Sequence, residues 1–204
     1  MVKELANSIE LQLLNCTCPN KMGPCPFFFK MKPTKKVMLI SHAPSFQAVY
    51  RHLPSTRFFR SLCLALYGPY PEIDVFDSIV NRDIYWTHYH KCYVPKSERN
   101  NISSLCSKKY LKRELEALLP NLIIILGEPV VKRLLGENVH NGEIKVGDYM
   151  DIPYVACNFP AIGNEPEFIE VRRKLAEIIN GIDVSPVPQT MVTYSAPRCQ
   201  DRFS

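Results

Sequence analysis

The chain has 204 residues, 46% of them apolar, and a formal net charge of +5. That length suits one domain with a substantial core, and the charge is too modest to imply a nucleic-acid partner by itself. No apolar run reaches the roughly 18 to 20 residues a membrane-spanning helix needs, and the opening MVKELANSIE lacks a signal peptide's apolar stretch, so the expectation is an intracellular protein of cytoplasm or nucleoid, without a membrane partner.

Val2, Leu5, Ile9 and Leu13 follow helical spacing and predict an opening amphipathic helix that ends at Cys16. The next stretch, CTCPNKMGPCPFFFKMKP, is too rich in cysteine and proline for regular helix. Residues 37–41, VMLIS, read as a buried strand that stops at His42-Ala43-Pro44-Ser45. Residues 57–67, RFFRSLCLALY, read as a helix. Residues 83–91, DIYWTHYHK, are rich in β-formers and predict a second strand. The loop YVPKSERNNISS leads to a helix with Leu111, Leu115, Leu118 and Leu119 on one face, stopped by Pro120. Residues 122–127, LIIILG, form the clearest strand: short, wholly apolar and closed by Gly127. PVVKRLL makes a short helix, GEIKVGDYMD a small hairpin, and residues 154–160, YVACNFP, the fourth strand. A last helix starts near Pro166, runs through Phe168, Val171, Leu175 and Ile178, and ends at Asn180-Gly181. The Pro- and Ser-bearing residues 183–204 have no periodicity and read as a flexible tail, a possible attachment for a protein partner. The organisation is thus one domain over 1–182 plus a tail.

Wholly apolar strands alternating with amphipathic helices imply a three-layer α/β/α domain around a central four-stranded parallel sheet. In such sheets, sites gather beyond the carboxyl ends of the strands. Here those ends are His42-Ala43-Pro44-Ser45, Thr87-His88-Tyr89-His90, Gly127-Glu128-Pro129 and Asn158-Phe159-Pro160-Ala161. For any one of them, a proline ending a strand is explanation enough. All four together point to a binding pocket lined by imidazoles, an aromatic ring and tight turns. Two basic clusters, Arg51, Arg57 and Arg60, and Lys108, Lys109, Lys112 and Arg113, could line a phosphate-binding face, although such clusters are more often solvated helix surfaces.

The eight cysteines are many for a reducing compartment, where clustered thiols more often mean metal than disulfides. Cys63 and Cys157 fall inside a helix and a strand and suit a packing role. Cys16, Cys18 and Cys25 fall in the N-terminal loop, while Cys92 follows the second strand and Cys106 precedes the next helix. Four thiolates from these distant segments could hold a 4Fe-4S cluster or zinc, and spacing does not separate the two.

In this order, the cysteine-proline loop, VMLISHAPS, IYWTHYHKCYVP, Cys106 with its helix, LPNLIIILGEPVVKRLLG and YVACNFPAIGN resemble the uracil-DNA glycosylase superfamily. The nearest resemblance is to its thermostable 4Fe-4S type, family 4. It covers about residues 5 to 180 and is strongest in HKCYVP and in LIIILG with its helix. It implies a monomeric DNA-binding protein of base-excision repair, acting on single-stranded or damaged DNA. It also implies a structural 4Fe-4S cluster on Cys92, Cys106 and two of Cys16, Cys18 and Cys25, with Cys16 the spare; zinc is the alternative.

The resemblance has departures at its functional positions. Active relatives read Gly-Glu-Ala/Gly-Pro-Gly in the first motif, where this chain has Ser41, His42 and Ser45. They carry Thr-Asn after the second strand, where this chain has Thr87-His88. They end on His-Pro-Ser, where this chain has Phe159-Pro160-Ala161. His42 and His88 are therefore the catalytic candidates. Ala43, Pro44, Ser45, Phe58, Phe59, Thr87, Asn158, Phe159 and Pro160 are the base-pocket candidates. Phe159 could stack on a base but not donate a hydrogen bond to it. Three functions follow: a glycosylase with weak, altered or lost uracil excision, in which His42, His88 or His90 takes over proton and charge roles; a non-catalytic nucleic-acid-binding subunit or damage sensor; and a zinc-stapled interaction module.

Overall fold

The computed structural model describes residues 8–9, 11–13, 15–16, 37–44, 84–95, 97–98 and 104–158. The expected helices at 57–67 and 166–180, the tail, Ser45, Phe58, Phe59, Phe159, Pro160, Cys18 and Cys25 lie outside these residues, as do Cys63 and the Arg51, Arg57 and Arg60 cluster. Ser8, Ile9 and residues 11–13 are helical, with Ile9 and Leu13 buried, as the opening periodicity predicts.

Apolar runs without alternation become strands covered on both faces. β1 (Val37–Ser41) and β3 (Leu122–Leu126) are buried at every position. β2 (Ile84–His88) is buried until His88. Between β2 and β3 a π-helical turn, Ser107–Leu111, runs into α1 (Lys112–Leu118). α2 (Glu128–Leu135) follows β3, and β4 (Ile144–Tyr149) and β5 (Ile152–Cys157) complete the sheet.

The sheet has five strands in the order β2-β1-β3-β5-β4. β1 pairs in parallel with β2 and β3, and β3 with β5, whereas β4 runs antiparallel to β5. This corrects the four-stranded, all-parallel expectation. The predicted hairpin is real, but its second arm is β5 itself, so the hairpin extends the sheet by an edge strand. β4 is mixed and largely exposed, with Val146 open to solvent, so no apolar run marks it. β5 also begins earlier than residue 154. Pro153 sits before the ladder to β3, which starts at Tyr154, so its missing N–H breaks no bond there.

Leu119 is a second correction. Leu111, Leu115 and Leu118 are buried, but Leu119 is 70% exposed. It is the C-cap of α1, with φ of 46°, a left-handed conformation that swings it off the apolar face before Pro120.

β1 leads to a strand on one side of it and β3 to a strand on the other. The strand order therefore reverses between β1 and β3, and the crevice beyond their carboxyl ends is where open α/β sheets place ligands.

Candidate functional site

The end of β1 is tied to the end of β2 by main chain. The Ser41 carbonyl accepts from the Tyr89 N–H at 2.7 Å, and the His42 carbonyl from the His90 N–H at 2.9 Å. The buried Trp86 indole donates to Ser41 Oγ at 3.0 Å. These bonds continue the strand pairing past both strands and bring His42, His88 and His90 into one neighbourhood. Ala43 is half-buried and Pro44 buried.

α2 supplies the partner of His42. Val130 and Val131 are buried against the sheet, which leaves Arg133 half-buried at the rim of that face. Its guanidinium Nη1 lies 3.1 Å from His42 Nε2, and its carbon lies 5.9 Å from the centre of the Tyr89 ring. A guanidinium only donates, so His42 Nε2 is the acceptor.

A buried polar network sits under β2. Glu114 of α1, 1% exposed, accepts from Tyr85 OH at 3.0 Å and from the Thr87 hydroxyl at 3.2 Å, and forms an ion pair with Lys91. Lys91 Nζ also donates to Thr87 Oγ1 at 2.6 Å. Thr87, a base-pocket candidate by resemblance, thus has its hydroxyl engaged by buried groups on the core side.

Two of the three imidazoles are held neutral. His88 packs against Trp86, ring centres 5.4 Å apart. Burial above all, then the charge of Lys91 and, at acid pH where they too are protonated, the neighbouring His42 and His90, lower its pKa to about 3. His90, 2% exposed, lies with Nε2 3.1 Å from Cys92 Sγ, while its Nδ1 is buried without a hydrogen-bond partner. Burial, Arg133 and Lys91, in that order, lower its pKa.

β3 and β5 close the other side. Gly127 has φ of 103°, outside the range of ordinary side chains; its N–H donates to the Cys157 carbonyl at 2.9 Å, and its own carbonyl accepts from Val130 at the start of α2. Asn158 Oδ1 accepts from the Glu128 N–H at 3.4 Å, at the N-terminus of α2, and its Nδ2 donates to Asn141 at 2.6 Å.

Cys92 and Cys106 are buried, at the two ends of the segment between β2 and the helical turn. Cys16 is half-buried, close enough to Tyr110 to add to the upward pKa shift that burial gives that phenol. Among the described residues no group of three or more His, Cys, Asp or Glu could hold a metal ion. Cys157 is fully buried and its thiol is pushed up to about 12, in keeping with a packing role.

Of the predicted site residues, the structure gathers His42 and His88 with His90 at the β1 and β2 ends and puts Asn158 at the end of β5. Arg133, Glu114, Lys91 and Asn141 were not predicted. Lys108, Lys109 and Lys112 are exposed, as a solvated helix surface would be. Among the described residues no helix is long and apolar enough to cross a membrane.

The family model described as the uracil DNA glycosylase superfamily matches residues 28–191 of the chain. No curated protein matches it.

Proposed function

The chain belongs to the uracil DNA glycosylase superfamily, and from that premise we propose that it is a divergent DNA glycosylase-type protein of base-excision repair. In this reading it binds an extruded base beyond the ends of β1, β2, β3 and β5, with uracil excision weak, altered or lost. DNA, single-stranded or damaged, is the partner, and the chain acts as a monomer. The nearest type within the superfamily is the 4Fe-4S one.

The chemistry explains why the end of β1 decides the matter. Cleaving a nucleoside's glycosidic bond builds positive charge on the sugar and negative charge on the departing base, and a site must stabilise both and orient water. The base must first leave the stack and be held by edge contacts. The observation that carries the reading is His42, 3.1 Å from Arg133, where the resemblance puts a carboxylate. An imidazole backed by a guanidinium does not stabilise a sugar cation. It suits negative charge on a base or a base carbonyl. His88, held neutral, can still donate or accept one hydrogen bond to a base edge, though its shape is not an amide's.

The donor set supports a resident cluster: Cys92 and Cys106 with two of Cys16, Cys18 and Cys25, all soft thiol ligands suited to 4Fe-4S or, as the alternative, zinc. The cluster would cross-link chain segments distant in sequence and take no part in the bond cleavage.

Incubation with oligonucleotides carrying uracil, hypoxanthine or xanthine, followed by alkali, tests the reading. Excision of hypoxanthine or xanthine with little uracil release is the expected outcome. Absence of abasic sites with every base, together with DNA binding that weakens steeply with salt, moves the protein to a non-catalytic damage sensor. Weak binding that salt leaves unchanged rejects both DNA readings.

A further inference from the structure

We propose that Arg133 is a positioning residue that acts through His42, fixing its imidazole in the neutral form with the proton on Nδ1.

Three observations converge on this. First, Arg133 Nη1 faces His42 Nε2 at 3.1 Å. All guanidinium nitrogens are donors and the group stays charged, so Nε2 must offer a lone pair. A neutral imidazole with a lone pair on Nε2 carries its hydrogen on Nδ1. Second, neither partner hangs free. The His42 main chain is held to His90 at 2.9 Å, and the Arg133 guanidinium lies over the Tyr89 ring at 5.9 Å. Third, the surroundings oppose a second positive charge. Among the described residues, Arg133 from α2 and His88 and His90 from the end of β2 lie around His42. Lys91 is ion-paired with Glu114, and the guanidinium is the cation in direct contact with His42. Protonating His42 would break its bond to Arg133 and set two cations within hydrogen-bonding distance.

The helix supplies the reason Arg133 can do this. Val130 and Val131 lock α2 to the sheet, and Arg133 follows them by three and two positions, at the edge of the buried face. Gly136, with φ of 74°, ends the helix one turn later, so Arg133 sits in its last turn, where a positive side chain also suits the helix dipole.

The consequence for a ligand rests on the DNA reading above. A neutral His42 with a guanidinium on its far nitrogen has a polarised Nδ1–H, a donor for a base carbonyl or an anionic base oxygen. It is neither a general base through Nε2 nor a counter-charge for a sugar cation.

The test reads the imidazole directly and does not depend on excision. Long-range nitrogen–proton correlation spectra of the histidine-labelled full chain, with His42 assigned from His42→Gln, should show Nδ1 protonated and Nε2 bare from about pH 5 to 8. Arg133→Gln keeps a donor but loses the charge. It should retain the Nδ1–H form at high pH and raise the His42 pKa by about one unit or more. Arg133→Lys, which keeps the charge, should titrate as the wild type does. A wild-type His42 with its proton on Nε2, or one that titrates near an ordinary 6.5 and is unmoved in Arg133→Gln, overturns the proposal. If Arg133→Gln does not fold, the wild-type spectrum alone decides. Absence of excision with the Nδ1–H form intact rejects the enzymatic reading and leaves this one standing.

Discussion

Glu114 is one carboxylate with three buried partners: the Tyr85 phenol, the Thr87 hydroxyl and the Lys91 ammonium. Its side chain and that of Lys91 are 1% and 4% exposed, so neither charge reaches bulk water to any useful extent. Pairing two such charges offsets a desolvation cost of several kcal/mol each, and removing one partner leaves the other uncompensated. Glu114→Ala is therefore expected to cost about 3 to 5 kcal/mol, because the buried Lys91 ammonium loses its counter-charge. Urea unfolding should place it well below Glu116→Ala, an exposed neighbour whose carboxylate lies 3.8 Å from the Lys112 ammonium. Equal midpoints for the two variants would contradict the burial argument. The network also bears on the site: it holds the Thr87 hydroxyl next to His88, and the Lys91 charge adds to the burial that lowers the His88 pKa.

At the scale of elements, the β4–β5 hairpin turns on Met150 and Asp151, whose φ values are 54° and 62°. Two consecutive left-handed residues make the tight turn that suits the twist of antiparallel strands, and such turns favour Asn-Gly. Met150 is also 40% exposed, so its side chain is only partly packed. Met150→Asn with Asp151→Gly should raise stability by about 1 kcal/mol, read as a higher urea midpoint at unchanged slope. A lower midpoint would mean the Met150 contacts outweigh the backbone relief. In contrast, Gly147→Ala on the same hairpin would push a methyl to 3.0 Å from the Tyr154 ring.

The elements also show what could be read in advance. β1 and β3 were legible because a strand buried on both faces must be apolar throughout, and the residues that end such runs, His42 and Gly127, stand out. The sheet membership of β4 was not, because an exposed edge strand needs only backbone partners. Leu119 shared the helical spacing of Leu111, Leu115 and Leu118, yet the αL cap moved it to solvent. Arg133 and Glu114 were hidden for another reason. Helical spacing says which face a residue occupies, but which strand end that face crosses is set by the fold. Reading the histidines as a set was possible from the strand ends; the cations beside them were not.

For the whole molecule, the neutral histidine at the end of β2 links folding to pH. His88 has an ordinary pKa near 6.5 when unfolded and about 3 when folded, so between these values the unfolded chain binds more protons. Stability from this group is complete above about pH 6.5, falls as pH drops through the window, and levels off below about 3. The slope is about 1.4 kcal/mol per pH unit where the difference is one full proton. Unfolding free energies measured across pH 3 to 7 should therefore decline more steeply for the wild type than for His88→Gln. Parallel curves would mean that His88 titrates in the folded protein as it does in the unfolded chain.

The strand order carries a consequence for how the chain reaches its native state. β1 must find β2 and then β3, each far along the chain, while β4 and β5 meet across a single tight turn. Local pairs close quickly and distant ones slowly, because loop closure must precede the contacts that reward it. The hairpin at the sheet's edge can form early, and the crevice between β1 and β3 only once the long-range pairing is complete. A partly folded chain would hold the hairpin and lack the histidine cluster altogether.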